Sequence, residues 1–284
     1  MTMKKLLTLA LAMLMVLSLA ACGSSGTTTP SSNAANSGTS SEEGVNTTDI
    51  TTVEPGKLIL ATNCQFPPYE MVADGEGVYQ GYEGIDIELA VAIADKLGLE
   101  LQIDDMDFDS SLLAVQEGRS DILLAGLSYS EERDEVMDFT TKYATGVQVV
   151  IVKDGSGVTM DNLGDGKLIG TQRGTTGYQY ASAAPEDGGF GEENVLAYDN
   201  GATAVQALLN GQVDAVIIDQ APAEQYVAAN EGLTILPTAW VEEDYCIAVD
   251  QGNTALLNAV QSILDELQAD GTVDAIIAKY IKAD

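Results

Sequence analysis

Residues 84–125 read GIDIELAVAIADKLGLELQIDDMDFDSSLLAVQEGRSDILLA, and their periodicity decides the fold class. Leu89, Ile93 and Leu97 recur at helical spacing with Ala90 and Ala94 alongside, the apolar face of an amphipathic helix. Gly98 ends that helix, and LELQI (99–103) is the next strand. DSSLLAVQEG is a second helix closed by a glycine turn, and DILLA (121–125) is a short apolar run suited to a buried strand. Upstream, KLILAT (57–62) is a further strand. Strand, helix, strand, helix, strand is the order of a mostly parallel α/β sheet.

Downstream the pattern restarts. GVQVVIVK (146–153) and KLIGT (167–171) read as strands, and GTTGYQYASA opens a helix. NVLAY (194–198) is a strand, ATAVQALLNG (202–211) a helix and QVDAVIID (212–219) a buried strand. Helix 221–229 and strand LTILPT (233–238) complete a second α/β unit. The tail returns to a strand, DYCIAV (244–249), and then to two helices, TALLNAVQSILDELQAD and TVDAIIAKYI. Leu256, Val260, Ile263, Leu264 and Leu267 share one face of the first of these. Two α/β lobes follow from this order, the second inserted into the first if the tail packs back. Periodicity alone does not establish that return.

The chain has 284 residues and is 45% hydrophobic, enough to bury a core. Its 44 acidic residues against 12 basic ones give a formal charge of −32. Nucleic acid and anionic membrane surfaces are disfavoured as partners, because both need clustered Lys and Arg. There is no histidine, so a Ser-His-Asp triad, a Cys-His dyad and a His-ligated zinc site are excluded. No metal and no cofactor is called for.

The N-terminus has the layout of a targeting segment. Lys4 and Lys5 precede the apolar run LLTLALAMLMVLSLA, and small residues close it at Leu19-Ala20-Ala21-Cys22. That tetrad resembles a bacterial lipobox, which implies a signal peptide over 1–21 and a lipid anchor on Cys22. An ordinary signal peptide with an incidental cysteine, or an uncleaved anchor, is the alternative. Residues 22–54, rich in Ser, Thr and Gly, read as a disordered tether. Cys64 and Cys246 can pair in an exported protein or stay as buried thiols, and the sequence leaves both open.

Three segments sit where strands end, the usual ligand position in an open α/β sheet. The first, ATNCQFPPYE (61–70), ends a strand in Asn63 and Phe66. The second is AGLSYSEER (125–133). Gly126 allows close backbone approach, Leu127 and Ser128 follow, and Arg133 presents a planar fork suited to a carboxylate. The third is QRGTTGY (172–178), a Gly/Thr loop entering a helix, whose free N–H groups favour anions. Asp219 ends the strand VIID, a carboxylate at its mouth. Each has an ordinary alternative: a cap for the loop and for Asp219, core packing for Phe66 and Phe108, a solvated surface for the Arg.

Taken in order, LILATNCQFPPYE, GIDIELAVAIADKLG, MDFDSSLLAVQEGRSDILLAGLSYSEERDEVMDFT, KLIGTQRGTTG, AVIID and DYCIAVDQGNTALLNAVQSILDELQADGT resemble a known family. It is that of the solute-binding proteins of polar amino-acid ABC transporters, which includes the glutamine- and lysine/arginine/ornithine-binding proteins. The resemblance covers about 230 residues from Lys57 onward. It implies a two-lobe periplasmic-binding-protein fold of type II, with two crossover strands near 143–147 and 240–245 as hinge. Lobe 1 would be 55–143 plus 244–284, and lobe 2 would be 147–240.

The resemblance also implies roles. Arg133 would hold a ligand α-carboxylate with Ser128 and the Thr175-Thr176 loop. Asp219 would meet the α-ammonium with the Gly126 carbonyl. Phe66 and Phe108 would wall the side-chain pocket, and Asn63 and Gln172 would read the side chain. Some relatives carry Asp at the position of Asn63 and Lys at that of Gln172; two neutral amides here imply a neutral or polar side chain. Arg173, beside the loop, departs from the family pattern and is expected to point to solvent. The implied protein is an extracytoplasmic monomer, anchored to the membrane by lipid, that delivers an amino acid to ABC permease subunits. A cyclohexadienyl-dehydratase-like enzyme or an amino-acid sensor domain on the same fold is the alternative.

Overall fold

The structure is a computed structural model that describes residues 50–282. The targeting segment, Cys22 and the tether up to residue 49 lie outside the described residues. Strand β1 (Lys57–Thr62) is followed by three small strands, β2 (Gln65–Phe66), β3 (Glu70–Val72) and β4 (Tyr82–Glu83). Then come helix α1 (Ile85–Leu97), β5 (Glu100–Asp105), α2 (Phe108–Gln116), β6 (Ile122–Leu123) and the single-turn α3 (Glu131–Asp134). Strand β7 (Met137–Lys153) leads to β8 (Ile169–Gln172), α4 (Thr176–Ser182), β9 (Val195–Tyr198), α5 (Gly201–Leu209) and β10 (Ala215–Asp219). The chain finishes with α6 (Gln220–Ala229), β11 (Leu233–Ile235), β12 (Val241–Asp250), α7 (Thr254–Ala269) and α8 (Thr272–Tyr280).

Apolar patterning accounts for most of these elements. In α1, Leu89, Ala90, Ile93, Ala94 and Leu97 are buried, and Gly98 closes the helix in the left-handed conformation at φ 68°. In α7, Asn253 caps the first turn by accepting from the Leu256 N–H, and Leu256, Val260, Ile263, Leu264 and Leu267 are buried. Full burial of one such side chain contributes about 1.5–3 kcal/mol. A cap typically contributes about 1 kcal/mol, so the apolar face rather than the cap fixes where α7 sits. That face packs on β7 and α1, and α8 packs on α1. The tail therefore returns to the first α/β unit.

Among the described residues nine strands form one sheet, ordered β5-β1-β6-β12-β7-β10-β8-β9 with β11 on β7. β1 lies parallel to β5 and β6, and β8 lies parallel to β9 and β10. Between these parallel trios runs the antiparallel pair β12–β7, paired from Val241↔Gln148 to Asp250↔Met137. The two lobes thus share two long crossover strands. The register shifts around Tyr245, Cys246 and Ala248. There the Tyr245 ring crosses Gly146, where a Cβ would stand 2.4 Å from the ring.

Strand β7 is longer than its apolar run suggests. Residues 137–145, MDFTTKYAT, are polar enough to escape a hydrophobic reading, yet they pair with β12. The tether also docks before Pro55: the Val53 N–H donates to Asp121 Oδ1 at 2.7 Å, and Ile50 packs against the core. Cys64 and Cys246 are both buried free thiols.

Candidate functional site

The strand-end residues named from sequence converge. Asn63 follows β1, Phe66 lies on β2, Phe108 opens α2, and Gly126 and Ser128 follow β6. Arg133 lies in α3. From the other lobe come Gln172 at the end of β8, Thr175 and Thr176 at the start of α4, and Asp219 at the end of β10. All of these line one cavity, where the two lobes meet. Leu127 is the exception among the residues named. Gly126 and Ser128 line the cavity, whereas the Leu127 side chain is buried in the core among Ala125, Leu123 and Met137. Its carbonyl accepts from the Cys246 N–H at 2.9 Å.

Arg133 is 6% exposed although it carries a permanent charge. Its side chain donates to the Ser128 carbonyl at 2.6 Å and, across the cleft, to the Gly174 carbonyl at 3.0 Å. The guanidinium carbon lies 5.6 Å from the centre of the Phe108 ring, within range of a cation–π contact. Burial lowers the Arg133 pKa, and the negative charge of Glu243 opposes that shift most strongly. Glu243 itself is buried on β12 and accepts from Gln148 Nε2 at 2.8 Å. Among the described residues two of the five guanidinium N–H donors are engaged, both by carbonyls.

Asp219 is buried opposite, and its carboxylate accepts a hydrogen bond from the Tyr245 hydroxyl. Burial pushes its pKa up to about 7, while bonds from Tyr245 and Gln148 pull it down. It makes no side-chain cap to α6, so the carboxylate is not held by the helix that follows it. Thr175 does cap a helix: its hydroxyl accepts from the Tyr178 N–H at 3.2 Å and donates to the Gln172 carbonyl at 2.8 Å. Gly126 takes φ 53°, and a Cβ there would meet the Phe66 ring at 2.5 Å, so the position requires glycine twice over. Arg173 forms an exposed pair with Asp199 at 3.6 Å, outside the cavity lining.

Two acidic residues join the site without having stood out in sequence. Glu70 lines the cavity, is fully buried, and neither of its carboxylate oxygens has a donor among the described residues. Asp86, at the start of α1, faces it. Asp86 accepts from the Gly126 N–H at 2.8 Å and from the Tyr143 hydroxyl at 2.8 Å. Burial raises Asp86 to about 6, and burial followed by the Asp86 charge raises Glu70 well above the usual carboxyl range. A fully buried carboxyl with no donor, next to a second carboxyl, is held in its protonated form by that environment. Only the unusual depth of these acids marks them, and depth is not written in composition.

A buried guanidinium and a buried carboxylate, delivered to one cavity by two α/β lobes on shared crossover strands, form an arrangement for holding a small dipolar solute. The comparisons agree with it. The ABC transporter glutamine-binding protein GlnH of Bacillus subtilis (strain 168) is 31% identical over 288 residues, covering 99% of both chains. The arginine-binding extracellular protein ArtP of the same organism is 29% identical over 280 residues, covering 98% of both. A solved structure of an ancestral arginine-binding protein bound to arginine is 37% identical and superposes with a TM-score of 0.71, covering 80% of this chain and 98% of the other. The profile described as bacterial extracellular solute-binding proteins, family 3, matches residues 58–283, and the chain belongs to that family, with its two-lobe type II fold.

Proposed function

We propose that the protein binds a free amino acid in this cavity and delivers it to an ABC permease. The observation that carries the proposal is the placement of Arg133 and Asp219, from different lobes, on the wall of one cavity. A free amino acid is a carboxylate and an ammonium on one carbon. The guanidinium donors of Arg133 suit the carboxylate, with Ser128 and the Thr175-Thr176 turn beside them, and Asp219 with the Gly126 carbonyl suits the ammonium. Micromolar binding corresponds to about 8 kcal/mol. Hydrogen bonds to charged groups contribute about 1.5–3 kcal/mol each, so several of them exceed that value after association costs. Closure of lobes 55–143 plus 244–284 and 147–240 on the ligand follows if more contacts form in the closed state.

The two amides alone favour a neutral or polar ligand side chain. A specific observation favours a cationic one. Gln172 Nε2 donates to Asn63 Oδ1 at 3.1 Å, and Asn63 Nδ2 donates to the Met106 carbonyl at 2.8 Å. The amides are thus partly satisfied by protein, whereas Glu70 has two acceptor oxygens with no donor. Phe66 and Phe108 line the same cavity and offer aromatic surface to a guanidinium. Relatives described as arginine-binding support this reading, as glutamine-binding ones support the neutral reading.

The family places such proteins outside the cytoplasm, and the L-A-A-C tetrad supports a lipid anchor on Cys22 of a monomeric carrier. Substituting Cys22→Ala should release the protein from membranes with ligand affinity intact. The direct test of the function is a thermal-shift screen against the amino acids, since a ligand that binds only the native state raises Tm. A rise with one chemical class of amino acid is expected, and no response to any of them contradicts the proposal.

A further inference from the structure

Glu70 opens β3, and its two oxygens are buried without a donor among the described residues while the residue lines the cavity. The charged and titratable groups around it offer no cation. Asp86 on α1, Asp105 on β5 and Asp219 on β10 all act on it as negative neighbours. Tyr69, Tyr143 on β7, Tyr226 on α6 and Cys64 complete its surroundings as neutral groups that burial holds protonated. Arg133, which lines the same cavity, directs two donors to the Ser128 and Gly174 carbonyls and makes no ion pair with Glu70 among the described residues. Asp86 is the better solvated of the pair by protein, with bonds from Gly126 and Tyr143. It therefore keeps the negative charge, and Glu70 is the group that needs a partner.

We infer that Glu70 holds a proton in the ligand-free protein, and that an amino acid with a cationic side chain exchanges for that proton on binding. The O–H bond of Glu70 breaks, its electron pair stays on the carboxylate, and the proton leaves to solvent. The ligand guanidinium or ammonium then donates to the oxygen that carried it. A neutral side chain brings no charge to replace the proton and leaves it in place. Glu70 thus distinguishes ligands by charge and makes the binding of cationic ones depend on pH. The raised titration of both carboxyls agrees with this. The inference rests on the amino-acid reading of the cavity given above.

Calorimetry of the full chain at pH 6.5 tests it, with L-arginine and L-glutamine titrated in buffers of differing ionisation enthalpy. The slope of observed heat against that enthalpy counts the protons released. Asp219 faces the α-ammonium of both ligands, so its contribution cancels in the comparison. Arginine should release about one proton more than glutamine, and Glu70→Gln should abolish that excess. If glutamine does not bind, the arginine release in wild type against Glu70→Gln gives the same difference. If the variant does not fold, the wild-type comparison decides. Equal release by both ligands, or binding of glutamine alone, overturns the exchange and leaves the amino-acid reading standing. Binding of no amino acid overturns that reading and the exchange with it.

Discussion

Arg133 combines a permanent charge with near-complete burial, so any ligand that uses it gains a charge-assisted bond in a low-dielectric site. Replacing it by Ala should weaken amino-acid binding at least ~100-fold by calorimetry, since a cleft-bound carboxylate left unpaired costs several kcal/mol. Unchanged affinity would remove Arg133 from the site. Its placement was legible in the sequence because arginine is rare here, with three in the chain, and because it follows a strand end. Asp219 was legible for the second reason. Glu70 was not: among 44 acidic residues none announces its own burial. Tertiary packing, including that of β3 against α1, takes Glu70 out of water.

Gly126 shows how an element delivers these residues. It follows β6 at a positive φ with the Phe66 ring where a Cβ would stand. Gly126→Ala should therefore lower stability by about 1–3 kcal/mol in denaturant titration, and it should weaken binding by displacing Phe66. A neutral effect on both would show that the loop repacks freely. Elements whose periodicity is strong, such as α1 and α7, were legible to their buried faces. The Leu127 side chain turns into the core, an orientation that residue order beyond the end of β6 does not encode. Residues 137–142 of β7 carry no strand signal in the sequence because Asp138, Thr141 and Lys142 interrupt the apolar pattern, and pairing with β12 supplies what burial does not.

Across the whole molecule, the charge of −32 and three buried carboxyls at one site link stability to pH. An unfolded carboxyl titrates near ~4, whereas burial raises Asp86 to about 6 and Asp219 to about 7 in the folded chain. Between these limits the folded state binds more protons than the unfolded one, so stability falls as pH rises through the window. The ligand-free chain should melt at least about 5 °C higher at pH 5 than at pH 7.5 by calorimetry. A bound amino acid should narrow that gap, because its ammonium favours ionised Asp219. The opposite order in the ligand-free chain would mean that these carboxyls are not buried as described. The two-lobe plan was legible in the order of elements, but the single sheet through both lobes depends on long-range pairing that no local pattern encodes.

The most direct measurement is a crystal structure of the protein with the amino acid that gives the largest thermal shift. The α-carboxylate should lie within hydrogen-bond distance of the Arg133 guanidinium, and the α-ammonium should lie against the Asp219 carboxylate. A ligand bound outside this cavity, or bound in it with neither group engaged, would contradict the account.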